Sequence, residues 1–201
     1  MNKIKFFIKQ SWLLIVASLC FGLLIAATDA ALRPRIIQNQ KEKLNKLMSS
    51  LITDANTFEP VAKACTVKTA DGQIKQTDIY KAFSPEQKPL GYAFVAVGSG
   101  FADKIKLVIA MDEKLQKCYG YAVLSSNETP GFGSKITENY FKSQFVGIPA
   151  GKVELVKSGA TEEADKKIVA ITGATVSSRA VTNIFNNYIN PVKEKIESEG
   201  L

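Results

Sequence analysis

No histidine occurs among the 201 residues. That absence excludes a Ser-His-Asp triad, an HExxH zinc site, an axial histidine for haem and an imidazole base near neutral pH. Cysteine is scarce, with residues at 20, 65 and 118 only. Cys118 has no neighbouring ligand residues of the kind a metal site needs. A strong excess of one charge is also missing once the first residues are set aside. Lys3, Lys5 and Lys9 precede the first acid, Asp29, and residues 10–201 carry 23 basic against 19 acidic side chains, a net +4. The bases are scattered, so there is no nucleic-acid footprint and no nucleic-acid partner is expected. Internal repeats and low-complexity stretches are absent as well.

What is present first is an uncharged apolar run over residues 11–28. Eighteen helical residues rise about 27 Å, near the low end of what crosses a bilayer core. The short flank before it is purely basic, which places the N-terminus in the cytoplasm and everything after Asp29 on the opposite face. Arg33 and Arg35 run against this bias, and Pro34 between them suggests an exposed connector. A cleavable signal remains a second reading, because Ala26-Ala27-Thr28-Asp29-Ala30 could supply a cut site. A lipoprotein is disfavoured, since Leu19 rather than a small residue precedes Cys20. In an oxidising compartment Cys65 and Cys118 could pair, or each could be a small buried hydrophobe.

Residues 40–52 read as an amphipathic helix through Leu44, Leu47, Met48 and Leu51. Strand-like segments follow: Val61 to Lys68, the turn Asp71-Gly72, then Ile74 to Phe83. Leu90 to Val97 is apolar throughout, as a strand buried on both faces would be. Lys104 to Met111 and Lys117 to Leu124 form a hairpin pattern around Asp112-Glu113-Lys114. Thr137 to Phe145 reads as a short helix with Tyr140, Phe141 and Phe145 inward. Lys152 to Lys157 and Lys167 to Ile171 supply further strands. Ser177 to Asn190 is the longest clear helix of the exported part, with Val181, Ile184, Phe185 and Tyr188 on one face. Pro191 is expected to interrupt it before a charged continuation. The class is α+β: a mainly antiparallel sheet with flanking helices, preceded by one N-terminal transmembrane helix.

Two stretches carry chemistry. In Ser125 to Lys135, Gly131 and Gly133 flank Phe132 after Glu128-Thr129-Pro130, a loop that lets backbone amides approach a ligand while Phe132 lies on a flat ring. The same composition also suits a plain strand-to-helix loop. In Ile171 to Val181, small residues and hydroxyls stand where a strand hands over to a helix. Unpaired amides and the helix dipole attract phosphate there, and a plain N-cap by Thr175 or Ser177 fits the same residues.

Together the stretches resemble a known family. Glu128-Thr129-Pro130-Gly131-Phe132-Gly133 is similar to the ETPG(L/F)G segment of the FMN-binding domain. Thr172-Gly173-Ala174-Thr175, followed by Ser177-Ser178-Arg179-Ala180-Val181, is similar to that domain's flavin-attachment signature. The order, spacing, single anchor and length resemble the G subunits of Rnf electron-transport complexes, relatives of the C subunit of Na⁺-translocating NADH:quinone reductase. The resemblance implies FMN held by a phosphoester from its 5′-phosphate to the hydroxyl of Thr175, a bond made from FAD by a separate flavin transferase. It further implies a phosphate set against Thr172, Gly173, Ala174, Ser177 and Ser178, and a loop of Glu128, Thr129, Gly131 and Phe132 over the isoalloxazine ring. No catalytic residue and no metal ligand are expected. The implied organisation is a cytoplasmic N-terminus over 1–10, an anchor over 11–29, a connector and amphipathic helix over 30–59, the FMN-binding domain over 60–190 and a charged C-terminal helix or tail over 191–201.

Ser158-Gly159-Ala160-Thr161 repeats the SGAT pattern, but Glu162, Glu163 and Asp165 would repel a phosphate. In the family that the chain resembles, an acid usually stands six positions before the attachment threonine; here that position is Val169, and Asp165 is the nearest acid upstream. The implied function is a membrane-anchored FMN electron carrier in an Rnf-type ferredoxin:NAD⁺ oxidoreductase, a redox subunit without a complete active site. Its implied partners are membrane, iron–sulfur and flavin subunits, together with lipid. Two alternatives stand beside it: the same domain in another exported flavin chain, or a flavin-free tethered binding module.

Overall fold

A computed structural model of the chain describes residues 2–69, 72–157 and 166–200. The chain divides into two units, one up to Glu42 and one from Lys43 onward. The first unit is helical and belongs to α1 (Asn2–Leu51), which has Pro34 inside it. The proline therefore opens no connector. It forfeits one amide hydrogen bond, and the helix continues between good helix formers, with Arg33 Nη2 paired to Asp29 Oδ2 one turn back at 2.6 Å. The helix is long and apolar enough to cross a membrane. Leu13, Leu14, Leu19, Phe21, Leu23, Leu24 and Ile25 all stand exposed along it.

The second unit is built on an antiparallel meander: β1 (Thr57–Lys68), β2 (Ile74–Phe83), β3 (Pro89–Ser99), β4 (Lys104–Asp112) and β5 (Cys118–Ser125), ordered β1-β2-β3-β4-β5. The expected α+β class with a mainly antiparallel sheet holds. Pro60 is tolerated because β1 is an edge strand, and the β1–β2 register shifts just beyond it. Of the turn Asp71-Gly72, Asp71 lies outside the described residues.

The period of two along β4 sets the layers. Ile105, Leu107, Ile109 and Met111 enter the main core, while Val108 and Ala110 join a second cluster. In that second cluster Ala82, Ala93 and Ala110 leave room for Met48 and Ile52, both buried. The 43–59 segment is thus part of this unit's packing. The doubly buried β3 is what its uninterrupted apolar run demands.

Against the main core pack a 3₁₀ turn (Gly133–Thr137), α2 (Asn139–Lys142), a second 3₁₀ turn (Ser143–Phe145) and α3 (Thr175–Glu199). The expected single short helix over 137–145 is therefore two short pieces, and Tyr140 is exposed rather than inward. Phe145 gathers the aromatics, with ring centroids 5.0 Å from Tyr121, 5.6 Å from Phe141 and 5.2 Å from Phe185. Fully burying such a side chain is worth about 1.5–3 kcal/mol. Gly98 admits α3 to the sheet, since a Cβ there would collide with Ile184 Cγ1.

Pro191 does not interrupt α3. The helix runs through it, and Val192 and Ile196 beyond it are buried in the same core as Val181, Ile184, Phe185 and Tyr188. Two amides pin the small parallel pair β6 (Glu154–Val156) and β7 (Lys167–Val169) to this layer. Asn186 exchanges two 2.8 Å hydrogen bonds with the Val153 backbone. Gln144 Oε1 accepts from the Val169 amide at 2.7 Å. Cys65 and Cys118 are both free thiols, Cys118 fully inside the core.

Candidate functional site

A cavity of about 440 Å³ opens between the two stretches that stand out in the sequence. It is lined by Glu128, Thr129, Phe132 and Gly133 from the loop after β5. Gly173, Ala174, Thr175, Val176 and Ser177 line it from the start of α3, and Phe101 from the loop after β3.

Turn chemistry shapes both loops. The Phe132 amide donates to the Thr129 carbonyl at 3.2 Å, closing a turn in which Pro130 precedes Gly131 at φ +76°. The Ala174 amide donates to the Ile171 carbonyl at 3.0 Å, with Gly173 at φ +80°. Both glycines occupy the left-handed position of a type II turn, which other residues adopt only with strain. A Cβ on Gly173 would make ordinary contact with Phe132 at 3.5 Å, so backbone conformation rather than space demands glycine there.

Glu128 ties the site together. Only 6% exposed, its Oε1 accepts from the amides of Phe101 (2.8 Å) and Ala102 (3.1 Å), and its Oε2 accepts from Ser177 Oγ. A Cβ on Gly133 would stand 2.6 Å from both Glu128 Oε2 and Ser177 Oγ. A second clasp joins the same loops, where Asn127 Nδ2 donates to Asp103 Oδ2 at 2.8 Å. The Lys104 amide, and after it Asn127, hold the Asp103 carboxyl below its ordinary pKa.

The hydroxyls divide sharply. Ser177 gives its one proton to Glu128, so it has no donor left for a phosphate. Ser178 is fully buried; its Oγ donates to the Ala174 carbonyl and accepts from the Ile171 amide, both at 3.0 Å. It fastens the turn from beneath and does not line the cavity. Both residues are expected phosphate donors, and in the folded chain both are occupied elsewhere. Thr172 and Gly131 are exposed and outside the lining. Arg179 is exposed on α3 and likewise outside it. Thr175 is half-buried and lines the cavity, and its hydroxyl makes no hydrogen bond with the described residues.

The plain N-cap reading also gives way. Ala174 is the N-cap of α3 and provides no side-chain cap, and no acid stands in the first turn. The first amides of a 25-residue helix are thus left without the usual side-chain acceptor beside a cavity.

Phe101 and Val176 line the cavity without having been singled out by sequence, as does Gly133 beyond its place in the loop. The signal for Phe101 was the pattern itself: an aromatic directly after Gly98-Ser99-Gly100, echoing Gly131-Phe132-Gly133. The alternative segment Ser158-Gly159-Ala160-Thr161, with Glu162, Glu163 and Asp165, lies outside the described residues.

This geometry agrees with what the chain is similar to. Residues 100–190, which contain both loops and most of α3, match the FMN-binding domain family. The G subunit of the proton-translocating ferredoxin:NAD(+) oxidoreductase complex of Clostridium ljungdahlii is 31% identical over 89% of this chain and 84% of its own length. The G subunit of the ion-translocating oxidoreductase complex of Methanosarcina acetivorans is 27% identical over 89% of this chain and 90% of its own. Among solved structures, the C subunit of the Na(+)-translocating NADH-quinone reductase of Parabacteroides distasonis superposes with a TM-score of 0.57 at 20% identity, covering 79% of this chain and 95% of that one. That likeness is one of fold. The extent of the G-subunit matches, with the FMN-binding domain inside them, shows that this chain belongs to the G-subunit family of ion-translocating oxidoreductase complexes.

Proposed function

We propose that the chain is a membrane-anchored electron-transfer subunit of an Rnf-type ferredoxin:NAD⁺ oxidoreductase, carrying FMN bonded through its 5′-phosphate to Thr175. One observation carries the covalent reading. Of the hydroxyls at 172, 175, 177 and 178, that of Thr175 alone both lines the cavity and makes no hydrogen bond with the described residues.

Electrostatics supports it. Among the described residues no lysine or arginine lines the cavity, and Glu128, the ionisable side chain that does, is acidic. A phosphate dianion held only by non-covalent contacts would want cations around it. Esterification lowers its charge and removes the need for them, while the uncapped amides at the start of α3 supply the remaining donors.

FMN, when bound, supplies the redox chemistry; the chain supplies position. The Thr129–Phe132 turn presents the Phe132 ring to the cavity, Gly133 keeps the wall thin, and Glu128 locks both loops to the first turn of α3. A single helix offers no ion path, so pumping belongs to multi-spanning partners, and iron–sulfur and flavin subunits exchange the electrons. The basic residues Lys3, Lys5 and Lys9 keep the N-terminus in the cytoplasm, which puts the flavin domain on the outer face. There a lost flavin is hard to replace, so a bond made once by a flavin transferase is useful.

The test is fluorescence of the full chain in a denaturing gel after coexpression with a flavin transferase. A fluorescent band is expected. A dark band from colourless protein would instead indicate a flavin-free tethered module.

A further inference from the structure

We propose that Phe101 is the second aromatic wall of the flavin site and that Glu128 sets its position. This rests on the flavin reading above and goes beyond it, because Phe101 lies outside both stretches that mark the site in sequence. From Lys43 onward, every other phenylalanine except Phe132 is buried or half-buried: Phe94, Phe141, Phe145 and Phe185 in the core, Phe58 and Phe83 at its margin. Phe101 is 68% exposed and Phe132 is 58% exposed. Both line the same cavity. Rings held out of a core that has taken in all their counterparts leave apolar surface where a flat, apolar ligand would cover it.

The backbone beneath Phe101 is fixed rather than loose. Its own amide and that of Ala102 donate to Glu128 Oε1, and the Gly100 amide donates to the Asp103 carbonyl at 2.8 Å. A Cβ on Gly100 would collide with Glu128 Oε1 and stand 2.6 Å from the Asp103 carbonyl. The loop is therefore built around the carboxylate, which in turn accepts from Ser177 two residues after Thr175. One acid thus sets the aromatic residue and the attachment end of the site together.

Phenylalanine here has two consequences. An excited flavin does not readily oxidise it, so it leaves flavin emission intact, whereas tryptophan or tyrosine in contact with the ring would quench by donating an electron. Its apolar, negative π-face also disfavours an electron-rich reduced ring beside it, holding the reduction potential down.

The test uses the full chain coexpressed with a flavin transferase, with attachment measured by intact mass before any spectroscopy. Phe101→Trp should lower native flavin emission several-fold at unchanged attachment, and Phe101→Tyr should do so more weakly. Tyr140→Trp, exposed but outside the cavity, should leave emission unchanged. Phe101→Ala should raise the midpoint potential without loss of attached flavin. Emission from both Phe101→Trp and Phe101→Tyr equal to wild type, at equal attachment, would overturn the proposal. A wild-type chain that takes up no flavin would instead overturn the reading beneath it.

Discussion

Ser177 Oγ donates a hydrogen bond to Glu128 Oε2, joining the third residue of α3 to a loop 49 positions earlier in the chain. The same carboxylate holds two amides of the loop after β3, so three separate segments meet on one side chain. Replacing it removes three acceptor contacts in a buried place. Glu128→Ala is expected to destabilise the domain by roughly 3 kcal/mol, and Glu128→Gln by about 1 kcal/mol, because the amide keeps one acceptor oxygen. Urea unfolding of the two variants against wild type measures the difference. Equal stability of all three would contradict the role given to Glu128.

The glycines of the site separate two physical causes. Gly133→Ala places a methyl 2.6 Å from Glu128 Oε2 and Ser177 Oγ, so it should loosen that junction and lower flavin loading. Gly173→Ala meets only ordinary contact with Phe132 but sits at φ +80°, costing about 1–2 kcal/mol of backbone strain. Gly151→Ala, with open space and no positive φ, should do neither. Thermal melts together with the ratio of flavin to protein absorbance distinguish the three.

The last turns of α3 belong to the core. Val192 is fully buried and Ile196 nearly so. Ile196→Ala should cost about 2–4 kcal/mol in urea unfolding, and a chain ending at Asn190 should lose more. If the segment were a solvated tail, both changes would be silent.

Burial pushes the Cys118 thiol up to about 12 from an ordinary 9.0, with Asp112 adding to the shift. A pKa raised in the folded state means that the unfolded chain gives up this proton first as pH rises. The contribution is therefore intact below about pH 9 and is lost toward pH 12. Buried Tyr121, also pushed up by desolvation, acts in the same direction at higher pH. Melting temperature should fall across this window, and Cys118→Ala should flatten the fall. Thiol reagents at pH 8 should label Cys118 only after unfolding.

Much of the fold is legible in the sequence because periodicity reports burial directly. The apolar run of β3, the β4–β5 hairpin and the α3 face of Val181, Ile184, Phe185 and Tyr188 are each written in their spacing. Both prolines mislead for a common reason. Local chemistry favours a break at Pro34 and Pro191, since each removes a helical hydrogen bond and crowds the carbonyl four residues back, yet both lie inside helices, and at Pro191 the burial of Val192 and Ile196 outweighs that cost. In the site, the two loops are visible as glycine, proline and hydroxyl patterns. Which hydroxyl is free is not, because that depends on Glu128 reaching Ser177 and on Ser178 turning under Ala174, contacts between segments far apart or folded back. Phe101 carries only a faint mark in the sequence, an aromatic after Gly98-Ser99-Gly100, because its place in the site comes from the cavity it shares with a loop about 30 residues away.

The most direct test of the account is the intact mass of the full chain and of Thr175→Ala, each coexpressed with a flavin transferase. The wild type should gain the mass of FMN less one water, and Thr175→Ala should gain nothing while remaining folded. The same mass gain in Thr175→Ala would contradict it, and would move the attachment to another hydroxyl.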